Sequence, residues 1–200
     1  MQTTREWLLT TVVDELSTKG MKGLHVKPMA IAGGMDVEKI AELFPDKRSL
    51  IAGLIEEVFA AQQEYLDQDF DEGAPPYERL IRFIERSLDF VNHYPLLADV
   101  IILALLGSDA DAKDQVHDQY ARLLAPVSRD LLREKIIPDE SPLVIADLSE
   151  VLLAVIFLGG CPGLQMDYLS FIDARKVAVS TLSAIKRRYL LKREIRAESS

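Results

Sequence analysis

The chain has 200 residues, of which 48% are hydrophobic and 28% are charged, with only 10 glycines and 9 prolines. These proportions exclude a disordered or fibrous chain and indicate one or two compact domains. The longest uncharged stretch, residues 151–166, is broken by three glycines and a proline, so we expect no membrane span. The single cysteine, Cys161, excludes an internal disulfide and suits the reducing cytoplasm, where we expect the protein to reside.

The net charge of -9 is unevenly distributed along the chain. Residues 1–50 contain seven basic and seven acidic residues, so residues 51–200 carry the whole negative charge. An acidic body repels nucleic acid unless a local surface opposes it. Any DNA-binding surface is therefore expected in the N-terminal segment.

Apolar residues recur at three- and four-residue steps throughout the chain, which predicts an all-α fold. The first helix opens at Thr3 and Glu6, which have capping-box spacing, and ends at Gly20. Its predicted apolar stripe consists of Leu8, Leu9, Val12, Val13 and Leu16.

Two short helices follow, separated by a glycine turn. The second helix spans about residues 26–32, and Gly33-Gly34 then supplies a tight turn because glycine adopts positive φ without steric cost. Asp36 is placed to cap the third helix, and Pro45 ends it. The residues of this helix expected to face inward are Ile40, Leu43 and Phe44.

The rest of the chain is predicted as longer helices joined by short breaks. A long helix runs from Asp46 to about Gln68, and residues 71–76 form a linker. The later helices are predicted at 77–92, 95–107, 110–135, 142–160 and 168–195. Pro126 should kink or divide the helix of 110–135, because proline removes a backbone hydrogen bond.

The first three helices form a helix-turn-helix pattern, whose last helix is shaped to enter a DNA major groove. Specific residues strengthen this interpretation: Arg5-Glu6-Trp7-Leu8-Leu9, Lys19-Gly20, Val26-Lys27, Met29-Ala30, Gly34-Met35, and Phe44-Pro45-Asp46-Lys47 followed by Leu50. With these segments, residues 5–50 resemble the DNA-binding domain of the TetR family of bacterial transcriptional regulators.

The resemblance implies a division into two domains. Residues 1–48 would form the helix-turn-helix DNA-binding domain, and residues 49–200 a helical ligand-binding and dimerisation domain. It further implies a homodimer that binds double-stranded DNA at a palindromic operator and is released by a small-molecule effector, most simply as a repressor.

The sequence departs from the family pattern in the third helix. Asp36 replaces a small hydroxyl residue, Glu38 a glycine, Lys39 a threonine and Ala41 a phosphate-contacting tyrosine. The second helix also has a poor N-cap at His25. The candidate DNA-binding residues are Lys27, Val37, Lys39, Ala41, Glu42 and Lys47. The alternative is a TetR-like protein that has lost DNA binding and binds a hydrophobic ligand such as a lipid or isoprenoid.

A hydrophobic effector is predicted from the helices between residues 77 and 160, several of which are apolar on more than one face. Rings with polar tips among apolar residues can line a ligand cavity, although they can equally be packed core residues. The candidate ligand-binding residues are Phe90, His93, Tyr94, Tyr120 and Phe157.

The two C-terminal helices are predicted to dimerise as a two-fold four-helix bundle, because both carry broad apolar bands. The candidate interface residues are Leu148, Leu152, Val155, Ile156, Val177, Thr181, Ile185 and Tyr189.

Other chemistry is not supported by the sequence. Asp114, His117 and Asp118 share a helical face, but acidic residues in the first turns of a helix are favoured by its dipole, so we predict neither a metal nor a cofactor. No nucleophile elbow, phosphate loop or zinc spacing is present, and we expect the protein not to be an enzyme.

Overall fold

The computed structural model describes residues 3–20, 23–68, 73–136 and 142–158, together with 173, 176–184 and 187. All regular structure in these residues is helical, which confirms the all-α prediction. The helices are α1 (Thr4–Trp7, Leu8–Val12 and Val13–Lys19 in succession), α2 (Val26–Ala32), α3 (Val37–Leu43), α4 (Lys47–Asp67), α5 (Pro76–His93), α6 (Pro95–Leu106), α7 (Ala110–Arg133), α8 (Pro142–Leu153, continued by Ala154–Leu158) and α9 (176–184). Most of the predicted helix of 168–195 lies outside the described residues.

The middle segment of α1, Leu8–Val12, is π-helical, and the Val13 N–H donates to the Leu8 carbonyl five residues earlier. A π turn is wider than an α turn, so residues five apart come to the same side of the helix. Leu8 and Val13 are both buried in this way, whereas Leu9 from the predicted stripe is only partly buried.

One local expectation was wrong. Leu43 is 50% exposed instead of facing inward, because the short α3 buries only Ile40. Pro126 does not divide α7, which continues from Ala110 to Arg133. Buried residues on both sides of the proline, among them Leu124 and Val127, hold the two halves of this helix in place by packing.

The chain divides into two compact units. Unit 1 comprises residues 1–65 and 90–119, and within it the Val13–Lys19 segment packs against α6. Its core includes Trp7, Leu16, Ile40, Leu54, Ile55, Phe90 and Ile101. Unit 2 comprises residues 66–89 and 120–200, with a core that includes Leu80, Ile84, Tyr120, Leu131, Leu152 and Phe157. The functional boundary at residues 48/49 stays a prediction, since packing units need not coincide with functional domains.

No single helix of the described residues combines the length and apolar character needed to cross a membrane. Helices α5 and α6 satisfy both criteria only when taken together, and a bend of 104° separates them.

Candidate nucleic-acid interface

Trp7 is the residue at which the three N-terminal helices meet. Its side chain is completely buried, and its indole N–H donates to the Met29 carbonyl of α2 at 3.2 Å. Its ring centroid lies 6.1 Å from that of Phe44, which follows α3. A Cβ on Gly33 would lie 2.4 Å from the indole Cδ1, so glycine at this position is what allows the turn to approach Trp7.

The turn between α2 and α3 has the hydrogen bonds of a Schellman motif. The Met35 N–H donates to the Ala30 carbonyl at 2.8 Å, and the Gly34 N–H donates to the Ile31 carbonyl at 3.1 Å. Gly34 has φ +65°, a left-handed conformation that favours glycine. The predicted glycine turn is confirmed, with separate roles for its two residues.

Asp36 caps α3, as its position predicts. Its Oδ1 accepts hydrogen bonds from the backbone N–H groups of Glu38 at 3.0 Å and Lys39 at 3.2 Å. Two amides of the first turn are thereby satisfied, so the departure from a hydroxyl residue preserves a cap at this position. The expectation of a poor cap on α2 is also confirmed, because the His25 side chain makes no capping hydrogen bond.

The predicted DNA-binding residues lie on the surface of α2, α3 and the start of α4. Lys27, Lys39 and Glu42 are exposed, whereas Val37, Ala41 and Lys47 are partly buried. Because Ile40 is buried, α3 turns its opposite side, with Glu38, Lys39 and Glu42, to solvent. Among the described residues, none of the three candidate lysines makes an ion pair.

Two exposed apolar residues of this surface were not predicted. Ile31 in α2 is 68% exposed and Leu43 in α3 is 50% exposed. Apolar side chains can contact the thymine methyl group in the major groove, so both extend the candidate surface. Helical periodicity predicts that such apolar residues are buried in the core, and only the three-dimensional packing shows that they are exposed.

The start of α4 is fixed by a reciprocal cap. The Ser49 N–H donates to Asp46 Oδ1 at 2.7 Å, and the Asp46 N–H donates to Ser49 Oγ at 3.2 Å. The hydrogen bond from the Ser49 backbone lowers the pKa of Asp46. Lys47, one of the candidate DNA-binding residues, is the first residue of α4 and is therefore held at a defined point of the surface.

Arg5 connects α1 to α4 through a forked contact that sequence reasoning did not predict. Its Nη1 and Nη2 lie 2.7 Å from Glu64 Oε1 and Oε2, and its Nε lies 3.2 Å from Glu57 Oε2. The Arg5 hydrogen bond lowers the pKa of Glu64. Glu57 and Glu64 are two turns apart on one helical face. No local sequence pattern, however, indicates that they contact a residue more than fifty positions earlier in the chain.

Further contacts hold α4 to α7 within unit 1. Arg48 forms an ion pair with Asp111, and Gln115 Nε2 donates to the Ala52 carbonyl at 2.8 Å. Asp109 caps α7, its Oδ1 accepting from the Asp111 N–H at 3.1 Å. The acidic segment at the start of α7 thus has structural roles, and the described residues contain no group of three or more candidate metal ligands.

The five candidate ligand-binding residues fall into two aromatic clusters. In unit 1, Phe90, His93 and Tyr94 surround Tyr65, whose ring centroid lies 5.8 Å, 6.2 Å and 5.9 Å from theirs. Phe90 is buried, His93 is exposed and Tyr94 is 45% exposed. This cluster therefore has one buried and one solvent-facing side.

In unit 2, Tyr120 lies between Phe83 and Phe157. Its ring centroid is 6.0 Å from the first and 6.1 Å from the second, both with edge-on geometry. All of Tyr120 is buried, and this burial raises the pKa of its hydroxyl. Ligand binding by either cluster stays a prediction.

Of the eight candidate dimer residues, four lie in the interior of unit 2. Leu148, Leu152 and Ile156 are completely buried and Thr181 is 3% exposed, so the chain itself covers the face expected to meet a partner. Val155 and Val177 are partly buried, and Ile185 and Tyr189 lie outside the described residues. Among the side chains of α8 and α9 that the structure describes, the large apolar ones facing solvent are those of Val151, 38% exposed, and Val179, 50% exposed.

Comparison with known proteins identifies the fold. No protein-family model and no curated protein matches the sequence. A TetR-like transcriptional regulator from Rhodococcus sp. RHA1 is similar in structure, with a TM-score of 0.58 and 20% identity over 96% of this chain and 98% of the other. The chain has the TetR fold.

Two further structures with this fold were solved with ligands. FadR from Bacillus subtilis, in complex with stearoyl-CoA, has a TM-score of 0.65 and 17% identity, covering 90% of this chain and 96% of the other. AibR, in complex with isovaleryl coenzyme A and operator DNA, has a TM-score of 0.56 and 13% identity, covering 90% and 97%. At 90% coverage, each likeness includes residues of both units of this chain.

Proposed function

We propose that the protein is a ligand-responsive, DNA-binding transcription regulator of the TetR type that acts as a repressor. The observation that supports this most is the packing of the helix-turn-helix. Trp7, Gly33 and the Asp36 cap hold α3 in a fixed position, with its outer side exposed to solvent. A rigid, exposed recognition helix is what insertion into the major groove requires.

In this proposal Lys39 reads a base edge, and Lys27 and Lys47 contact the phosphate backbone. Base contacts give specificity and phosphate contacts give position and most of the affinity. The carboxylates of Glu38 and Glu42 repel the DNA phosphates, so the α3 helix of a single subunit binds DNA weakly. Two copies in a homodimer, on the half-sites of a palindromic operator, supply the affinity that a single helix lacks.

The proposed effector is largely hydrophobic and carries an acyl chain. FadR and AibR, which share the fold, were solved with stearoyl-CoA and isovaleryl coenzyme A. The cluster of Tyr65, Phe90 and Tyr94 offers apolar surface that reaches solvent on one side, as a binding site for such a molecule needs.

Unit 1 also provides contacts through which effector binding would reach the DNA surface. The Val13–Lys19 segment of α1 packs against α6, and α6 begins directly after the aromatic cluster at Tyr94. Arg48 and Ala52 near the start of α4 bind α7. Movement of the aromatic cluster would therefore alter the contacts of α1 and of the start of α4, which lie at the two ends of the helix-turn-helix.

Selection of bound sequences from random duplex DNA at several salt concentrations tests the proposal. A palindromic motif whose affinity falls steeply with salt is expected, and acyl compounds should then release the DNA. Absence of enrichment even at low salt would eliminate DNA binding.

The second candidate is a TetR-like protein that binds a lipid or isoprenoid but not DNA. The exposed carboxylates of Glu38 and Glu42 favour it, because both would face phosphate. A lipid or isoprenoid detected by mass spectrometry after extraction of the purified protein would support this candidate. The DNA selection should then show no enrichment of any sequence.

A further inference from the structure

Gln62 in α4 is a buried polar residue without a visible purpose in the fold. Its side chain is completely buried, and neither its amide nitrogen nor its amide oxygen has a hydrogen-bond partner among the described residues. An amide offers two donors and one acceptor oxygen, and burying them unpaired opposes folding. A group of this kind in a folded protein requires an explanation.

The neighbours of Gln62 along its own face of α4 are apolar or aromatic. Val58 and Phe59, one turn earlier on the same helical face, are buried. Tyr65, one turn later, contacts the rings of Phe90 and Tyr94. Gln62 is thus a polar residue on the same face of α4 as Tyr65 of the aromatic cluster. Ligand sites typically combine apolar walls with a few polar groups that orient the ligand.

We propose that Gln62 hydrogen-bonds the polar group of the effector, and that this group is uncharged and both donates and accepts, as a primary amide or a protonated carboxylic acid does. This inference rests on the proposed ligand-responsive function. The glutamine carbonyl and N–H lie side by side and pair with both atoms of such a group. An ester or thioester only accepts and leaves the Gln62 carbonyl unpaired, while a charged group is strongly disfavoured among Val58, Phe59 and Tyr65.

The test uses the whole protein and three probes with the same chain: decanamide, decanoic acid and methyl decanoate. Q62M removes the amide with little change in shape, and Q63M is the matched control on the neighbouring, partly exposed residue. Melting temperatures and dissociation constants are measured for each protein with each probe. Decanamide and decanoic acid are tested separately, because either head group would satisfy the proposal.

Without ligand, Q62M should melt at the same or a higher temperature than the parent, since an unpaired buried amide is removed. The parent and Q63M should bind decanamide or decanoic acid about tenfold more tightly than methyl decanoate, the value of one good hydrogen bond. Q62M should bind the compounds with equal affinity.

A lower melting temperature for ligand-free Q62M would overturn the inference, because it would mean that Gln62 has a partner inside the protein, such as a bound water. Equal stabilisation of parent and Q62M by all three compounds would also overturn it, but would leave the ligand-responsive function standing. If no compound stabilises the parent, both the inference and the acyl-chain effector fail.

Discussion

At the scale of single residues, Gly33 and Gly34 are required for different reasons, and substitution separates them. Gly33 has φ -82°, which alanine adopts easily, but the added Cβ would meet Trp7 at 2.4 Å. We expect G33A to lower the free energy of unfolding by about 1–3 kcal/mol through overpacking. Urea denaturation of the variant measures this.

Gly34 has open space around its missing Cβ, with no atom within 4 Å, but its φ is +65°. G34A should therefore cost about 1–2 kcal/mol through backbone strain alone. G34N should cost less, since asparagine tolerates the left-handed region better than alanine. If G34N is as unstable as G34A, backbone conformation is not the reason for glycine at this position.

Lys39 and Lys47 are expected to differ in what they contribute to DNA binding. Lys39 is exposed near the middle of α3, and Lys47 begins α4. K47A should weaken binding about equally for all sequences, whereas K39A should relax preference at one base step by about 1–3 kcal/mol. Binding assays with the selected site and its single-base variants measure both. Unchanged affinity in both variants would contradict the assignment.

At the scale of helices, the charge of α3 is expected to limit DNA affinity. In E38Q/E42Q two exposed carboxylates are removed while helix propensity is nearly kept, so binding at low salt should strengthen. The control E85Q/E150Q changes the net charge equally at exposed positions of unit 2. Fluorescence anisotropy with duplex DNA compares the two. Equal gains in both would indicate a general charge effect and would place α3 away from the DNA.

The ion pair between α1 and α4 should make stability depend on pH. Arg5 lowers the pKa of Glu64, so the ionised carboxylate stabilises the folded protein at neutral pH, and this contribution is lost as the pH falls through the folded-state pKa. E64Q should be less stable than the parent at pH 7 and equal to it in acid, below the ordinary pKa range of glutamate. Denaturant titrations across this range measure the difference. E85Q, which removes one carboxylate at an exposed position, is the matched control.

What could be predicted from the sequence was mainly local. The turn at Gly34 and the cap at Asp36 depend on residues a few positions apart, so the sequence contains the whole cause. The Arg5–Glu64 contact joins residues fifty-nine positions apart and has no local signal. The sequence shows that Leu43 and Leu148 are apolar residues on helices, but it does not show whether another part of the chain covers them. The packing leaves Leu43 exposed and buries Leu148.

At the scale of the whole molecule, dimerisation is expected to depend on the exposed apolar residues of α8 and α9. Val151 and Val179 face solvent, so lysine at either position should leave the chain folded and weaken the dimer by about 1–2 kcal/mol. L152D instead places a charge in the core of unit 2 and should unfold the chain. L106K, at a residue 63% exposed in unit 1, is the control that should leave both properties unchanged.

Sedimentation velocity at micromolar concentration, with melting temperatures measured in parallel, separates loss of the dimer from loss of the fold. V151K and V179K should sediment as smaller particles with melting temperatures close to that of L106K. A parent protein that already sediments as a monomer would contradict the dimer. It would also remove the expected palindromic operator, because one α3 that exposes Glu38 and Glu42 beside Lys39 has too little positive charge to hold DNA alone.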